Sequence, residues 1–176
     1  MIDAPVQRCF LLSLSVDLHV DSMKRTGERA VEGVTSGILT EGQTVTWAIR
    51  YLGKELRHKS IIEVWRPYTF FRDSMVAGPF AFFEHEHHFA SMNGGTRVRD
   101  ELRFAAPMGL VGRISESLFL RRYVRNLLLQ RNRYIRRVAE SQDWHRYLDG
   151  QPAPEEIPSR RAVHGIVPAQ VLRRSG

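Results

Sequence analysis

The chain has 176 residues, of which 43% are hydrophobic and 26% charged, and these proportions exclude a protein that is disordered throughout. This length is typical of one domain whose core needs no disulfide, and the single cysteine, Cys9, cannot form one within the chain. The net charge of +7 is compatible with an anionic partner, but the basic excess is mostly arginine and does not by itself identify one.

Three patterns follow one another along the chain. Short apolar clusters within residues 5–23 predict two short helices. Over residues 29–104 apolar and polar residues alternate between turn signals, which predicts five or six antiparallel strands. The strongest hairpin signal among them is Asn93-Gly94-Gly95. Over residues 110–140 the apolar residues recur at helical spacing, which predicts one long helix.

The pattern divides the chain into a folded domain and a tail. Residues 1–140 contain all the predicted helices and strands, and their order indicates one α+β domain. Residues 141–176 contain four prolines and two arginine pairs, which is typical of a mobile C-terminal tail. No run of about 18 apolar residues predicts a membrane span, and the N-terminus does not have the charge pattern of a signal peptide. We therefore expect a cytoplasmic protein.

Several short strings, taken in order, are typical of one superfamily. They are Ala4-Pro5 with Phe10, Val45-Thr46-Trp47, Gly78-Pro79-Phe80, His85-Glu86-His87-His88-Phe89, Gly94-Gly95-Thr96 with Asp100, and Pro107-Met108-Gly109-Leu110-Val111-Gly112. Together they resemble the START-like superfamily, also called the SRPBCC or polyketide cyclase/dehydrase group. The resemblance implies a helix-grip fold, in which a curved antiparallel sheet surrounds a long C-terminal helix. It also implies a cavity between sheet and helix that holds a small, mostly hydrophobic molecule.

The start of the chain departs from this family. A strand usually precedes the Ala4-Pro5 segment and lies beside the last strand, whereas only Met1-Ile2-Asp3 precede it here. So few residues make a poor strand, and Pro5 cannot donate a hydrogen bond to a ladder. We therefore expect the first strand to be missing or reduced to a stub, and the natural reading frame to begin upstream of Met1.

The predicted hairpin around Asn93 brings a histidine and a carboxylate to the interior. Charged residues at alternate positions after the turn must face water, so Asp100, which lies between them, faces inward with His87 of the partner strand. A turn at Asn93-Gly94 sets the two opposite each other, and a turn at Gly94-Gly95 makes them diagonal neighbours. An inward carboxylate is costly to bury unless it pairs or meets water or a ligand.

We interpret His87 and Asp100 as a polar anchor for a ligand, because imidazole titrates near neutrality and can orient a hydroxyl or carbonyl group. The structural alternative is an internal pair that only stabilises the sheet. The same alternation predicts further inward residues that contact a ligand: Trp47, Tyr51, His58, Asp73, Met75 and His85. For the aromatic members of this set, a role in core packing is equally compatible with the pattern.

The run from His85 to His88 invites a metal interpretation. A strand directs alternate side chains to opposite faces, so at most two of these histidines converge. Zinc requires three or four ligands, and the missing ones would have to be Asp73 or Asp100. We therefore predict no metal and no other cofactor. Cys9 lies among apolar residues with no predicted charged partner, which is typical of a small buried residue rather than a nucleophile.

The predicted long helix carries seven arginines between Arg121 and Arg137, with no acid between Glu116 and Glu140. Five can share one face, namely Arg122, Arg125, Arg133, Arg136 and Arg137. A solvated face whose side-chain stems cover apolar surface is the favoured interpretation, and peripheral contact with an anionic membrane is an alternative. The sequence contains no pattern of a known nucleic-acid-binding motif, which argues against nucleic acid as a partner.

Three functional hypotheses follow, and the first is favoured. The first is a helix-grip protein that holds a small hydrophobic molecule between the sheet and the terminal helix. The second is an enzyme on the same scaffold, in which His87 and Asp100 give acid–base assistance to the cyclisation or dehydration of a polyketide-like substrate. The third is an anion-binding adaptor that uses the arginine-rich helix. No sequence feature identifies the ligand or the oligomeric state.

Overall fold

The computed structural model describes residues 1–51, 53–105 and 114–150. Within them, six antiparallel strands form one curved sheet in sequential order: β1 (Arg29–Gly33), β2 (Thr44–Tyr51), β3 (Lys54–Arg66), β4 (Phe70–Ala77), β5 (Phe82–Met92) and β6 (Gly95–Ala105). The helices are α1 (Val6–Leu14), α2 (Val16–Ser22), α3 (Ile114–Ala139) and α4 (His145–Leu148). The predicted α+β helix-grip architecture is confirmed. None of the described helices is long and apolar enough to cross a membrane.

The turn between β5 and β6 decides which residues of the two strands lie opposite each other. Asn93 and Gly94 both have positive φ, 51° and 81°, as a two-residue type I′ turn requires. Met92 therefore pairs with Gly95, and ten further pairs follow along the ladder, including His87 with Asp100. Of the two registers that the sequence allowed, the structure has the one that sets His87 directly opposite Asp100.

Two irregularities bend the central pair of strands. The register between β3 and β4 shifts between Lys59 and Ser60 and again between Ile62 and Val64. An extra residue in one strand increases the local twist and bends that strand. Because β3 and β4 lie in the middle of the sheet, these shifts favour a concave face onto which the helices pack.

The hydrophobic core fills one end of that concave face. Phe10 of α1 is fully buried, and its ring packs against Trp65, Tyr68, Phe71 and Phe89 with centroid separations of 5.3 to 6.1 Å. Tilted and edge-on contacts at such distances are favourable for aromatic rings. This cluster joins α1 to the sheet, and it leaves the rest of the concave face to be covered by α2 and α3.

The N-terminus adds one bridge to the free edge of β6. Ile2 and Thr96 exchange two backbone hydrogen bonds, of 2.9 and 2.8 Å, and the Thr96 hydroxyl donates to the carbonyl of Ala4. Among the described residues no further N-terminal residue pairs with this strand, which agrees with the predicted stub. A methyl group on Gly95 would lie 2.6 Å from the Ile2 carbonyl oxygen, so this close approach requires glycine.

Part of the predicted tail belongs to the packed structure. Residues Gln142–Trp144 form a 3₁₀ helix that leads into α4. Tyr147 of α4 is 5% exposed, and its hydroxyl donates to Asp21 at 2.7 Å and lies 3.0 Å from the hydroxyl of Tyr134. The predicted domain boundary at residue 140 therefore precedes a segment that packs on the domain. The remainder of the predicted tail, 151–176, lies outside the described residues.

Candidate functional site

A cavity of about 570 Å³ lies between the concave face of the sheet and the helices α1, α2 and α3. Its wall is mainly apolar and includes Val45, Trp47, Ile49, Leu56, Ile62, Phe71 and Phe83 from the sheet side and Leu120, Val124, Leu127 and Leu128 from α3. The volume is within the range of small-molecule sites, which combine apolar walls with a few convergent polar groups. Here the polar groups gather in a small number of places.

The first polar group is a cluster of acids and histidines on three neighbouring strands. The strand registers set Asp73 of β4 opposite His85 of β5, and His87 of β5 opposite Asp100 of β6. His87 donates through Nε2 to Asp73 Oδ2 at 3.1 Å, and its Nδ1 lies 2.7 Å from Asp100 Oδ1. His85 Nε2 lies 3.3 Å from the same Asp100 oxygen. His87 is thus held between two carboxylates.

Asp100 lies behind the two histidines rather than on the cavity wall. Its second oxygen, Oδ2, accepts a short hydrogen bond from the side-chain amide of Asn132 on α3. The side chain is therefore held by β5 on one side and by α3 on the other. This arrangement ties the terminal helix to the sheet at the level of the cluster, and it leaves Asp73, His85 and His87 to line the cavity.

Burial and ion pairing oppose each other at His87, which is 2% exposed. Burial disfavours the imidazolium, but the adjacent carboxylates of Asp100 and Asp73 outweigh it and raise the pKa of His87 above its ordinary value. The same contacts act on the acids. Burial would raise the pKa of each carboxyl group, but the hydrogen bond from His87 to Asp73, and the close approach of both histidines to Asp100, hold the two pKa values below the usual range.

His85 has the opposite protonation preference. Burial, and next to it the charge of His87, lower the pKa of His85 although Asp100 lies close by. The rings of the two histidines are 3.8 Å apart at their centroids, so two positive charges there would repel strongly. The cluster therefore favours a proton on His87 and disfavours one on His85, and both imidazoles line the cavity wall.

Arg131 of α3 is a polar wall residue that was not selected from the sequence. It lies on the apolar stripe of the helix, between Leu128 and Ile135, and is 7% exposed. Its Nη2 donates to the backbone oxygen of Ser13 at 2.6 Å. The other six arginines of this helix are exposed. The sequence feature that could have identified Arg131 as an inward residue is its spacing. Residue 131 follows residue 124 by two helical turns and precedes residue 138 by the same distance, so the three share one face of the helix.

A second polar group lies on the side of the cavity formed by α2 and β1. Glu28 is buried, and its Oε1 lies 3.1 Å from His19 Nε2. The His19 ring in turn packs on Trp47, with centroids 4.1 Å apart. His58 is a separate buried wall residue, whose pKa is lowered chiefly by burial and whose Nδ1 has no hydrogen-bond partner among the described residues. Glu28 was not selected from the sequence.

Of the eight residues proposed for the site from the sequence, five line the cavity: Trp47, His58, Asp73, His85 and His87. Asp100 contacts the cluster from behind, as described above. Met75 is half-buried beside Gly78 near His58 and is not part of the wall. The side chain of Tyr51 lies outside the described part of the structure.

Three side chains of the cluster also have the spacing of a metal site. Asp73, His85 and His87 each offer one ligand atom, and these atoms lie within 4.8 Å of one another. Alternation along the strand predicted two converging histidines with Asp73 or Asp100 as a further ligand, and the structure brings Asp73 to them. A cation here would have to displace the proton that His87 donates to Asp73, on the wall that also carries the charge of Arg131. We therefore interpret the cluster as ion pairs.

In comparisons with known proteins, no family model and no curated protein matches the chain. Several solved structures do match the chain. TTHA0849 from Thermus thermophilus is 22% identical over 79% of this chain and 89% of that one, with a TM-score of 0.54. CV1439 from Chromobacterium violaceum is 10% identical over 80% of this chain and 94% of that one, with a TM-score of 0.57. Ginseng major latex-like protein 151 from Panax ginseng is 15% identical over 80% of this chain and 93% of that one, with a TM-score of 0.54. At these identities the likeness concerns the fold alone, and it supports the helix-grip fold that the sequence pattern predicted.

Proposed function

We propose that the protein binds a small, mostly hydrophobic molecule in the cavity between the sheet and α3. The observation that carries the proposal is the cavity itself, with a volume of about 570 Å³, a mainly apolar wall and polar side chains gathered at few points. Apolar surface provides most of the binding energy of such sites, and convergent polar groups orient the ligand. The flat rings of Trp47, Phe71 and Phe83 favour a ligand with an extended or ring-shaped apolar body.

Ligand binding should stabilise the folded protein and change the fluorescence of Trp47. A ligand present at about 100 times its Kd stabilises the native state by about 2.7 kcal/mol, which corresponds to a rise in Tm of about 5 to 10 °C for a chain of this size. A thermal-shift panel of lipids and polyketides measures this rise. Because Trp65 and Trp144 also emit, Trp47→Phe is the control for the optical signal. A broad panel without any thermal shift would contradict the proposal.

Two neighbouring leucines of α3 offer a matched pair of variants. Leu128 lines the cavity, whereas Leu129 is exposed. Leu128→Trp should narrow the cavity and reduce the thermal shift produced by the ligand, and Leu129→Trp should leave that shift unchanged. Each variant is compared with its own ligand-free form, so that a change in intrinsic stability does not affect the result. Equal shifts in both variants would place the ligand outside this cavity.

An acid–base enzyme at the same site is the second candidate function. It is favoured by His87, a histidine with a raised pKa that is hydrogen-bonded to Asp73 on the cavity wall. The two candidates differ in the fate of the bound compound. Mass spectrometry of the molecules that copurify with the protein identifies the ligand class, and incubation of that compound with the protein then shows whether it is returned unchanged or with water lost or a ring formed.

A further inference from the structure

The guanidinium group of Arg131 has more hydrogen-bond donors than partners. Arginine carries five N–H donors and stays protonated in proteins. Arg131 is 7% exposed, and its one hydrogen bond among the described residues runs from Nη2 to the Ser13 backbone oxygen. Its Nε is buried without a partner there. A buried cation with unmet donors is costly, which is why such groups are normally paired.

The acids on and behind the cavity wall do not provide that partner. Asp73 and Asp100 contact His87, at 3.1 and 2.7 Å, and Glu28 contacts His19 at 3.1 Å. In the described parts of the chain, no carboxylate lies within 4.0 Å of the Arg131 guanidinium. Asp100, Asp73 and Glu28 offset its charge from beyond ion-pair distance, but they satisfy none of its donors. The arrangement therefore leaves a hydrogen-bonding cation on an otherwise mainly apolar wall.

We propose, building on the function proposed above, that the ligand is a carboxylic acid with an apolar body, and that its carboxylate pairs with Arg131. The planar fork of a guanidinium matches the two oxygens of a carboxylate, and pairs of this kind are among the stronger hydrogen-bonded contacts in proteins. A single guanidinium carries one positive charge, which a head group with one negative charge neutralises. The adjacent Leu128 and Val124, on the same stripe of α3, then contact the apolar body that follows the head group.

Compounds that share one alkyl chain and differ in the head group test this inference. Dodecanoic acid, methyl dodecanoate and dodecan-1-ol are compared by calorimetric titration, the acid below the concentration at which it forms micelles and the ester and the alcohol below their solubility limits. The acid should bind at least about tenfold more tightly than the alcohol or the ester, because only the acid forms a charge-assisted pair. Arg131→Gln should remove this difference. Arg133→Gln, which changes an exposed arginine of the same helix, should retain it.

A measurement on the unaltered protein keeps the test decisive if Arg131→Gln does not fold. The carboxyl signal of dodecanoic acid labelled with ¹³C at that carbon reports its ionisation while the acid is bound. Pairing with Arg131 should keep the bound acid ionised at pH values below its ordinary pKa, whereas an apolar site without a cation raises the pKa of a carboxyl group. A raised pKa of the bound acid would overturn the inference.

The outcomes separate this inference from the proposed function. Equal affinities for acid, ester and alcohol would overturn the carboxylate inference while supporting a site for apolar molecules. The same preference for the acid in Arg131→Gln as in the unaltered protein would overturn the role of Arg131. If none of the three compounds binds but other apolar compounds raise the Tm, the inference fails and the proposed function stands.

Discussion

Individual residues of the cluster show how burial and ion pairing compete for a proton. His87 is 2% exposed, yet its pKa is raised because Asp73 and Asp100 lie on either side of the ring. His85, one pleat away on the same strand, has a lowered pKa because burial and its charged neighbour outweigh the attraction of Asp100. The pKa values of two histidines on one strand face are thus shifted in opposite directions.

The contribution of Asp100 to this balance can be measured directly. Asp100→Asn removes one of the two carboxylates beside His87, so the pKa of His87 should fall, and NMR titration of the imidazole resonances measures it. Glu101→Gln is the control, because this neighbouring residue of β6 points to the opposite face of the sheet. An unchanged pKa of His87 in Asp100→Asn would show that Asp73 alone sets its protonation.

A comparison of single and double variants tests whether the pair has a structural role. His87→Leu leaves the half-buried carboxylates of Asp100 and Asp73 without their histidine partner, and the loss of unfolding free energy should approach the roughly 3 to 5 kcal/mol that breaking a fully buried pair costs. His87→Leu combined with Asp100→Leu removes one of these carboxylates, so the double variant should be more stable than the single one. Urea denaturation measures both.

The same double variant separates stability from binding. If the cluster orients the ligand, the double variant should fold but bind the ligand more weakly than the unaltered protein. A double variant that binds normally would contradict the anchor hypothesis, and a double variant less stable than His87→Leu would contradict the structural argument.

At the scale of elements, α4 shows how a short helix is held against the domain. A helix of four residues is not stable alone, so tertiary contacts must hold it. Tyr147 provides them through its burial and through hydrogen bonds with Asp21 and Tyr134. Burial and these partners raise the pKa of the Tyr147 phenol, so the hydroxyl stays protonated and can donate to Asp21.

Removal of this hydroxyl should weaken the attachment of α4 measurably. Tyr147→Phe keeps the buried ring but loses both hydrogen bonds, which should lower the free energy of unfolding by about 1 to 2 kcal/mol. Tyr134→Phe is the matched variant, because it removes the bond between the two hydroxyls and leaves the bond to Asp21 intact. Denaturant unfolding should therefore show a smaller loss for Tyr134→Phe, and the reverse order would contradict this account.

At the scale of the whole molecule, the ion pairs predict how stability depends on pH. The pKa values of Asp73 and Asp100 are lowered on folding, so their contribution is present above about pH 3.9, the unfolded value, and is lost as the pH falls through the folded values. The pKa of His87 is raised, so its contribution is present below about pH 6.5 and is lost as the pH rises through its folded value.

The two buried histidines with lowered pKa values change the free energy of unfolding with pH in the same direction as the acids do. His58 and His85 resist protonation in the folded state, so stability falls as the pH drops below about 6.5. Urea unfolding at a series of pH values should therefore give a maximum just above pH 6.5, with a decline on the alkaline side as His87 loses its proton. Asp100→Asn should reduce that alkaline decline, and an unchanged decline would assign it to other groups.

Much of the fold follows from the sequence alone, and so do the inward positions of the four cluster residues Asp73, His85, His87 and Asp100. Alternation and the turn at Asn93-Gly94 place His87 and Asp100 on one face of adjacent strands, because side chains of a strand repeat every two residues and the turn sets the register. The strings shared with the superfamily predicted the sheet and the terminal helix. Such local and periodic signals are readable because they depend on residues that are close in the chain.

Only the tertiary structure decided the rest of the site. Asp73 reaches the histidines because the pairing of β4 with β5 sets it opposite His85, and no local pattern encodes that register. Arg131 occupies an apolar stripe, and whether such a stripe meets core, water or a cavity depends on the distance between helix and sheet. That distance is set by contacts between residues far apart in the chain, such as Asn132 with Asp100, which periodicity does not reveal.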